Sequence, residues 1–243
     1  MDNMDESGVF DYQQVESEVN SFSLKSLLFT ELIHGVMWLL NVLNIFIVDS
    51  ELMNRSFFGS CTVTLITVVL CVILGMKKPQ TKYLIMIALV IEITIVNVNL
   101  TYHTVLLFVL PLLYSIQYCN RKMVYFSYVL SVVSIFVSCM AGYFYGLCDA
   151  NMAAITIHPL SYYCDELTGK LEFGYVNPNP WVSLSLFYVL PRSLILLVLI
   201  PVTRKVSDSV AKWAVREQTL SRLSEEDKIC LLYTSDAADD RIS

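Results

Sequence analysis

Residues 83–100 read YLIMIALVIEITIVNVNL, and Glu92 is the only charged residue among them. Eighteen residues wound as a helix rise about 27 Å, close to the ~30 Å hydrocarbon thickness of a bilayer. Strands of a membrane barrel would be shorter and would alternate apolar with polar residues, which this stretch does not do. A helix satisfies its own backbone groups in lipid, so 83–100 reads as a transmembrane helix.

Working outward, five more apolar runs follow the same rule, at 27–48, 56–76, 104–118, 123–147 and 182–203. The run at 104–118 is the shortest, because NVNLTYHT (97–104) can be divided between it and its predecessor in several ways. Hydrophobic residues make up 56% of the chain, and their concentration in such blocks excludes an ordinary soluble domain. The fold expected is all-α: a polytopic membrane protein with a six-transmembrane-helix bundle (27–203), followed by a cytoplasmic linker helix (204–228).

The cations give a direction. Lys25, Lys77, Lys78, Lys82, Arg121, Lys122, Arg204, Lys205, Lys212 and Arg216 fall on one side of the six-span layout, against Arg55 and Lys170 on the other. Cationic loops stay cytoplasmic, so a multi-pass plasma-membrane protein with both termini inside is expected. Residues 1–26 carry six acidic residues and one Lys, with none of the features of a signal peptide. They read as an acidic cytoplasmic arm, flexible and able to carry a short helix before the membrane.

Charges within the spans are costly, at least about 2.5–3.5 kcal/mol each on insertion scales. Glu92 and Arg192 lie at nearly equal depth when counted from the ends of their helices, so they are expected to meet, with Pro191 loosening the helix beside Arg192. Two polar stripes at helical spacing define the rest of a polar membrane core: Glu31, His34, Trp38 and Asn41 in one span, and Glu92, Val96, Asn99 and His103 in another. They read as interhelical packing contacts, or as the wall of a small ligand pocket or ion path. His34 and His103 lie toward opposite faces and cannot share a metal. No catalytic, cofactor-binding or metal-ligand pattern and no nucleic-acid signature is present.

The loop 148–181 contains Cys148 and Cys164, a possible disulfide in an oxidising compartment. Its KLEFGYV (170–176) could form one strand of a hairpin, and NPNPW (177–181) turns the chain into the last span. The loop is open to a ligand-sensing reading and to that of a plain connector. The other membrane cysteines behave as small apolar residues.

After the last span, RKVSDSVAKWAVREQTLSRLSEEDK (204–228) places Val206, Val210, Trp213 and Leu220 on alternating four- and three-residue spacings. Such a seam suits a parallel dimeric coiled coil, hence a homodimer, or an amphipathic helix lying on the inner leaflet. The ending CLLYTSDAADD (230–240) resembles, residue for residue, the translation of a transposase-based sequencing adapter. Residues 229–243 are therefore expected to be a non-native tail. With three Asp and one Arg it carries −2, leaving −4 of the formal −6 for 1–228.

A six-span module, a linker helix and LSEEDK (223–228) resemble the run-up to the catalytic domain of bacterial diguanylate cyclases of the GGDEF family. The resemblance implies a sensor or anchor whose output domain, with its GTP and Mg²⁺, lies beyond Lys228, and Asp227 matches the acidic residue that closes the family's linker. No catalytic residue carries over, so the chain as given is not expected to be an enzyme. Other outputs consistent with the layout are a histidine kinase or a serine/threonine phosphatase. From another class comes a small transporter using Glu92 and Arg192. The lipid bilayer is the one partner implied throughout, and the sensed ligand is unspecified.

Overall fold

The computed structural model describes residues 12–45, 48–145 and 180–239. Every described element is helical: α1 (Tyr12–Val42), α2 (Ser50–Leu74), α3 (Pro79–Thr104), a 3₁₀ segment (Val105–Val109), α4 (Leu110–Gln117), α5 (Arg121–Tyr145), α6 (Pro180–Leu184), a π segment (Ser185–Val189) and α7 (Leu190–Asp239). Five stretches are long and apolar enough to cross a membrane: Glu16–Val42, Ser50–Leu74, Pro79–Leu100, Arg121–Gly142 and Ser185–Glu217. The expected fourth span is instead a shorter apolar stretch, Val105–Gln117.

Local chemistry explains where that stretch begins. Leu100 leaves helical geometry (φ −116°, ψ 16°), and the Thr104 hydroxyl donates across the break to Asn97 Oδ1 at 3.1 Å. A tighter 3₁₀ segment follows, and Pro111 falls in the first turn of α4, where its missing N–H costs nothing. The α2–α3 turn is equally specified. Gly75 takes φ +84°, a left-handed conformation open to glycine, and its carbonyl accepts from the Thr81 hydroxyl at 2.8 Å.

The helix ends carry the cations to one end of the bundle. Asn20 of α1 donates to the Met76 carbonyl (2.8 Å), and Glu16 pairs with Lys82. Tyr118, just past α4, donates to Ser23 Oγ (3.3 Å), so the short stretch returns the chain to the end where α1 begins. Arg121 makes two hydrogen bonds to Asp208 of α7, at 3.3 and 3.0 Å, and Arg204 donates to Tyr125 Oη at 2.8 Å. The described part of the acidic arm is thus not separate from the bundle. Helix α1 begins within it, and Asn20 and Ser23 are buried against the α2–α3 turn and Tyr118.

Helix α3 is the central element, burying more of its length than any other span. Its Met86 and Leu89 pack with Leu27, Leu112, Met123 and Ile135 from α1, α4 and α5. Facing outward are Val72, Ile73, Ile195 and Val198, each with more than 60% of its surface exposed. An apolar exterior of this kind is what lipid tails solvate.

Candidate functional site, a polar cluster and cavity between α1, α2 and α3

The site is built on close helix approach. Helix α2 buries Met53, Ser56, Ser60, Thr64, Thr67 and Cys71, a mostly small-residue face on four- and three-residue spacings. Gly59 lets α3 approach so closely that a Cβ there would lie 3.0 Å from Ile95 Cγ2, whereas a Cβ at Gly35 of α1 would meet Phe57 at an ordinary contact distance of 3.4 Å. Small residues at such contacts let polar side chains meet across helices in lipid.

Into this face α1 presents its stripe. Ser60 Oγ lies 3.0 Å from Glu31 Oε1 and 3.0 Å from His34 Nδ1, and Ser56 Oγ lies 3.2 Å from His34 Nε2. The Ser60 hydroxyl has one proton and two acceptors, Glu31 Oε1 and the Phe57 carbonyl at 2.9 Å; with that proton on either, His34 donates from Nδ1 to Ser60 and accepts at Nε2 from Ser56. The Cys61 thiol also donates to Glu31 Oε1 at 3.0 Å. One turn on, Trp38 Nε1 donates to Asn54 Oδ1 (2.7 Å) while its ring stacks on Phe57, and Asn41 donates to the Val48 carbonyl (2.9 Å). All four stripe residues of α1 face α2 or the turn leading into it.

Glu92 approaches from α3. It is 2% exposed and interacts with Glu31 and Thr64. Counted from Asn20, Gly75 and Lys82 at the cationic end, Glu31, Thr64 and Glu92 all lie about 15–17 Å deep, near the bilayer midplane.

Glu92 and His34 also border a cavity of about 220 Å³. Its remaining wall is chiefly apolar, with Met37, Met53, Val96 and Leu100 among the residues that form it. No protein-family model, curated protein or solved structure matches the chain. The reading of this site rests on its geometry.

Several expectations change. Glu92 and Arg192 do not meet. Arg192 donates to Cys139 Sγ on α5 at 3.5 Å and stacks over Tyr188, 5.0 Å from the ring centroid. Equal depth leaves the direction around each helix unspecified. On α3 it is Thr94, two residues and about 200° beyond Glu92, that reaches α5, where it meets Ser134 Oγ at 2.7 Å. Among the described residues Glu92 makes no salt bridge. Pro191 does follow a loosened turn, since its ring opposes the carbonyl of Phe187 inside the π segment.

The second stripe divides. Glu92 and Val96 border the cavity, whereas Asn99 donates back to the Ile95 carbonyl of its own helix at 2.9 Å. The side chain of His103, and Cys148 and Cys164, lie outside the described residues. Among the described residues no group of three or more His, Cys, Asp or Glu is placed to hold a metal.

Reading hydropathy and charge missed the serines. Ser56 and Ser60 form the centre of the cluster, and Ser127, Ser131, Ser134 and Ser138 form a second buried stripe on α5. Their spacing of three and four residues was the available signal.

Proposed function

We propose that this chain is the membrane-embedded input and anchoring module of a signal-transduction protein, with six crossings and cytoplasmic termini. Its last helix would relay a change in bundle packing to an output domain, a diguanylate cyclase of the GGDEF family. One observation carries the reading. Helix α7 runs from Leu190 through Lys228, where the non-native tail is expected to begin, and Val206, Val210, Trp213 and Leu220 stand on it 39–73% exposed, an apolar seam without cover in the single chain. A second copy of α7 would cover it and make a two-helix stalk. The position of Tyr118 and Arg121 at the end where α1 begins supports an even number of crossings.

On this reading each cyclase domain presents one GTP, and two must face each other to join them. GTP and Mg²⁺ belong to that domain. Rotation or spacing changes in paired α7 helices would set whether the domains face each other.

Cysteines introduced singly from 206 to 220 and oxidised in membranes test the stalk. Disulfide dimers should peak at Val206, Val210, Trp213 and Leu220 and fall at Asp208 and Lys212, whereas a flat profile removes the dimer. A thiol placed at Lys170 should react only from outside the cell. The uninterrupted gene decides the output: Thr-Gly-Leu soon after Lys228 supports the cyclase, and a His-containing dimerisation helix removes it.

The cavity beside Glu92 favours one further reading, a small proton- or ion-coupled transporter. That would show as coupled uptake in vesicles, abolished by Glu92→Gln. The geometry gives Arg192 no part beside Glu92 in it.

A further inference from the structure

We infer that the α1–α2–α3 cavity is a binding site for a small lipophilic amine, its ammonium seated on Glu92 and its apolar body against Met37, Met53, Val96 and Leu100. The inference is independent of what α7 drives, because the cavity is lined by α1, α2, α3 and the 3₁₀ segment after α3 and by no residue of α7.

Charge gives the first argument. Glu31 and Glu92 interact near the bilayer midplane, and neither faces a Lys or Arg within salt-bridge distance among the described residues. Glu31 is partly provided for, since Ser60 and Cys61 both donate to its Oε1. Glu92 borders the cavity and is 2% exposed, and the groups it interacts with, Glu31 and Thr64, bring it no positive charge. A buried carboxylate in that position is stabilised most by a cation brought to it.

The wall selects which cation. A metal ion would need several oxygen or nitrogen ligands, and beyond Glu92 the polar groups of the wall are only Thr30, His34 and Thr104. An ammonium needs one charged acceptor and, with an apolar substituent, covers the aliphatic wall as well. Size sets the limit. A dry apolar cavity of about 150 Å³ takes benzene, so about 220 Å³ suits one ring bearing a short aminoalkyl chain.

The test uses the full chain in lipid nanodiscs, with phenethylamine as probe and propylbenzene as its uncharged isostere. Equilibrium dialysis against empty discs subtracts partitioning into lipid. Phenethylamine should bind saturably, one per chain, and more tightly than propylbenzene. Glu92→Gln should weaken the amine by about tenfold or more while leaving propylbenzene unchanged. Val96→Phe, which fills the cavity and keeps the carboxyl, should weaken both. The inference fails if the amine does not saturate above empty discs, if propylbenzene binds as tightly, or if folded Glu92→Gln retains the amine. Should Glu92→Gln not fold, the comparison of the two probes on the wild-type chain, with Val96→Phe, decides it. Loss of α7 cross-linking would leave this result untouched, so failure of the site and failure of the stalk are separable.

Discussion

Ser60→Ala breaks the polar relay at its middle link. The wild-type hydroxyl accepts from His34 Nδ1 at 3.0 Å and shares its proton between Glu31 Oε1 at 3.0 Å and the Phe57 carbonyl of its own helix at 2.9 Å. His34 cannot close the gap itself, because its Nδ1 lies 3.9 Å from Glu31 Oε1. The alanine variant therefore leaves a buried imidazole N–H without an acceptor, while Glu31 keeps the Cys61 thiol. An orphaned buried donor costs about 1–3 kcal/mol in water-soluble proteins. Interhelical hydrogen bonds in membranes average about 0.6 kcal/mol, with a maximum near 1.7. Two lost contacts and one orphan place Ser60→Ala at about 1–2 kcal/mol of destabilisation. The sharper expectation concerns coupling. His34→Phe removes the orphan, so Ser60→Ala made in that background should cost at least about 0.5 kcal/mol less than in wild type. Equilibrium unfolding in mixed micelles by steric trapping measures all four proteins. Equal costs in the two backgrounds would refute the relay, leaving Ser60 as a small residue and nothing more.

Three further outcomes follow from the same structure. Ser127→Ala on α5 should be neutral or stabilise by up to about 1 kcal/mol, because the Ser127 hydroxyl is buried without a partner; a loss of that size in the same unfolding assay would show a bond to this hydroxyl. Gly59→Leu should destabilise by about 1–3 kcal/mol through overpacking against Ile95, and Ile95→Ala should recover part of the loss. Asp208 stands beyond the cationic pair Arg204–Lys205, on the aqueous part of α7, and hydrogen bonds from Arg121 hold its carboxyl below the usual carboxylate range. Its contribution is therefore present above the ordinary carboxylate pKa and lost as pH falls through the lowered value. The thermal midpoint of the wild type should exceed that of Asp208→Asn near neutrality, and the gap should close in acid and shrink in salt.

Some of the site could be read directly from the chain. The α1 stripe of Glu31, His34, Trp38 and Asn41 turned together toward α2 or its leading turn because residues three and four apart share a helix face, whatever the neighbour. Asn99 shared a spacing with Glu92 yet bonded its own backbone, since a side-chain amide can reach the carbonyl one turn earlier in its own helix. The pairing of Glu92 with Arg192 failed for a different reason. In a soluble helix the polar face marks the outside and fixes rotation about the axis. In lipid both the outer face and most of the interior are apolar, so hydropathy leaves that rotation open.

By itself, then, the sequence determined solvent and length. Runs such as 83–100 and 182–203 can shelter their backbones in lipid only as helices, and their cations must stay near water. Only the tertiary structure decided which groups meet. Small residues at Ser56, Gly59 and Ser60 bring α1, α2 and α3 within reach of one another, and Glu92 there interacts with Glu31 and borders a cavity, while Arg192 bonds Cys139. A hydrogen bond acts over about 3 Å, so it is set by how closely two helices approach and how each is turned.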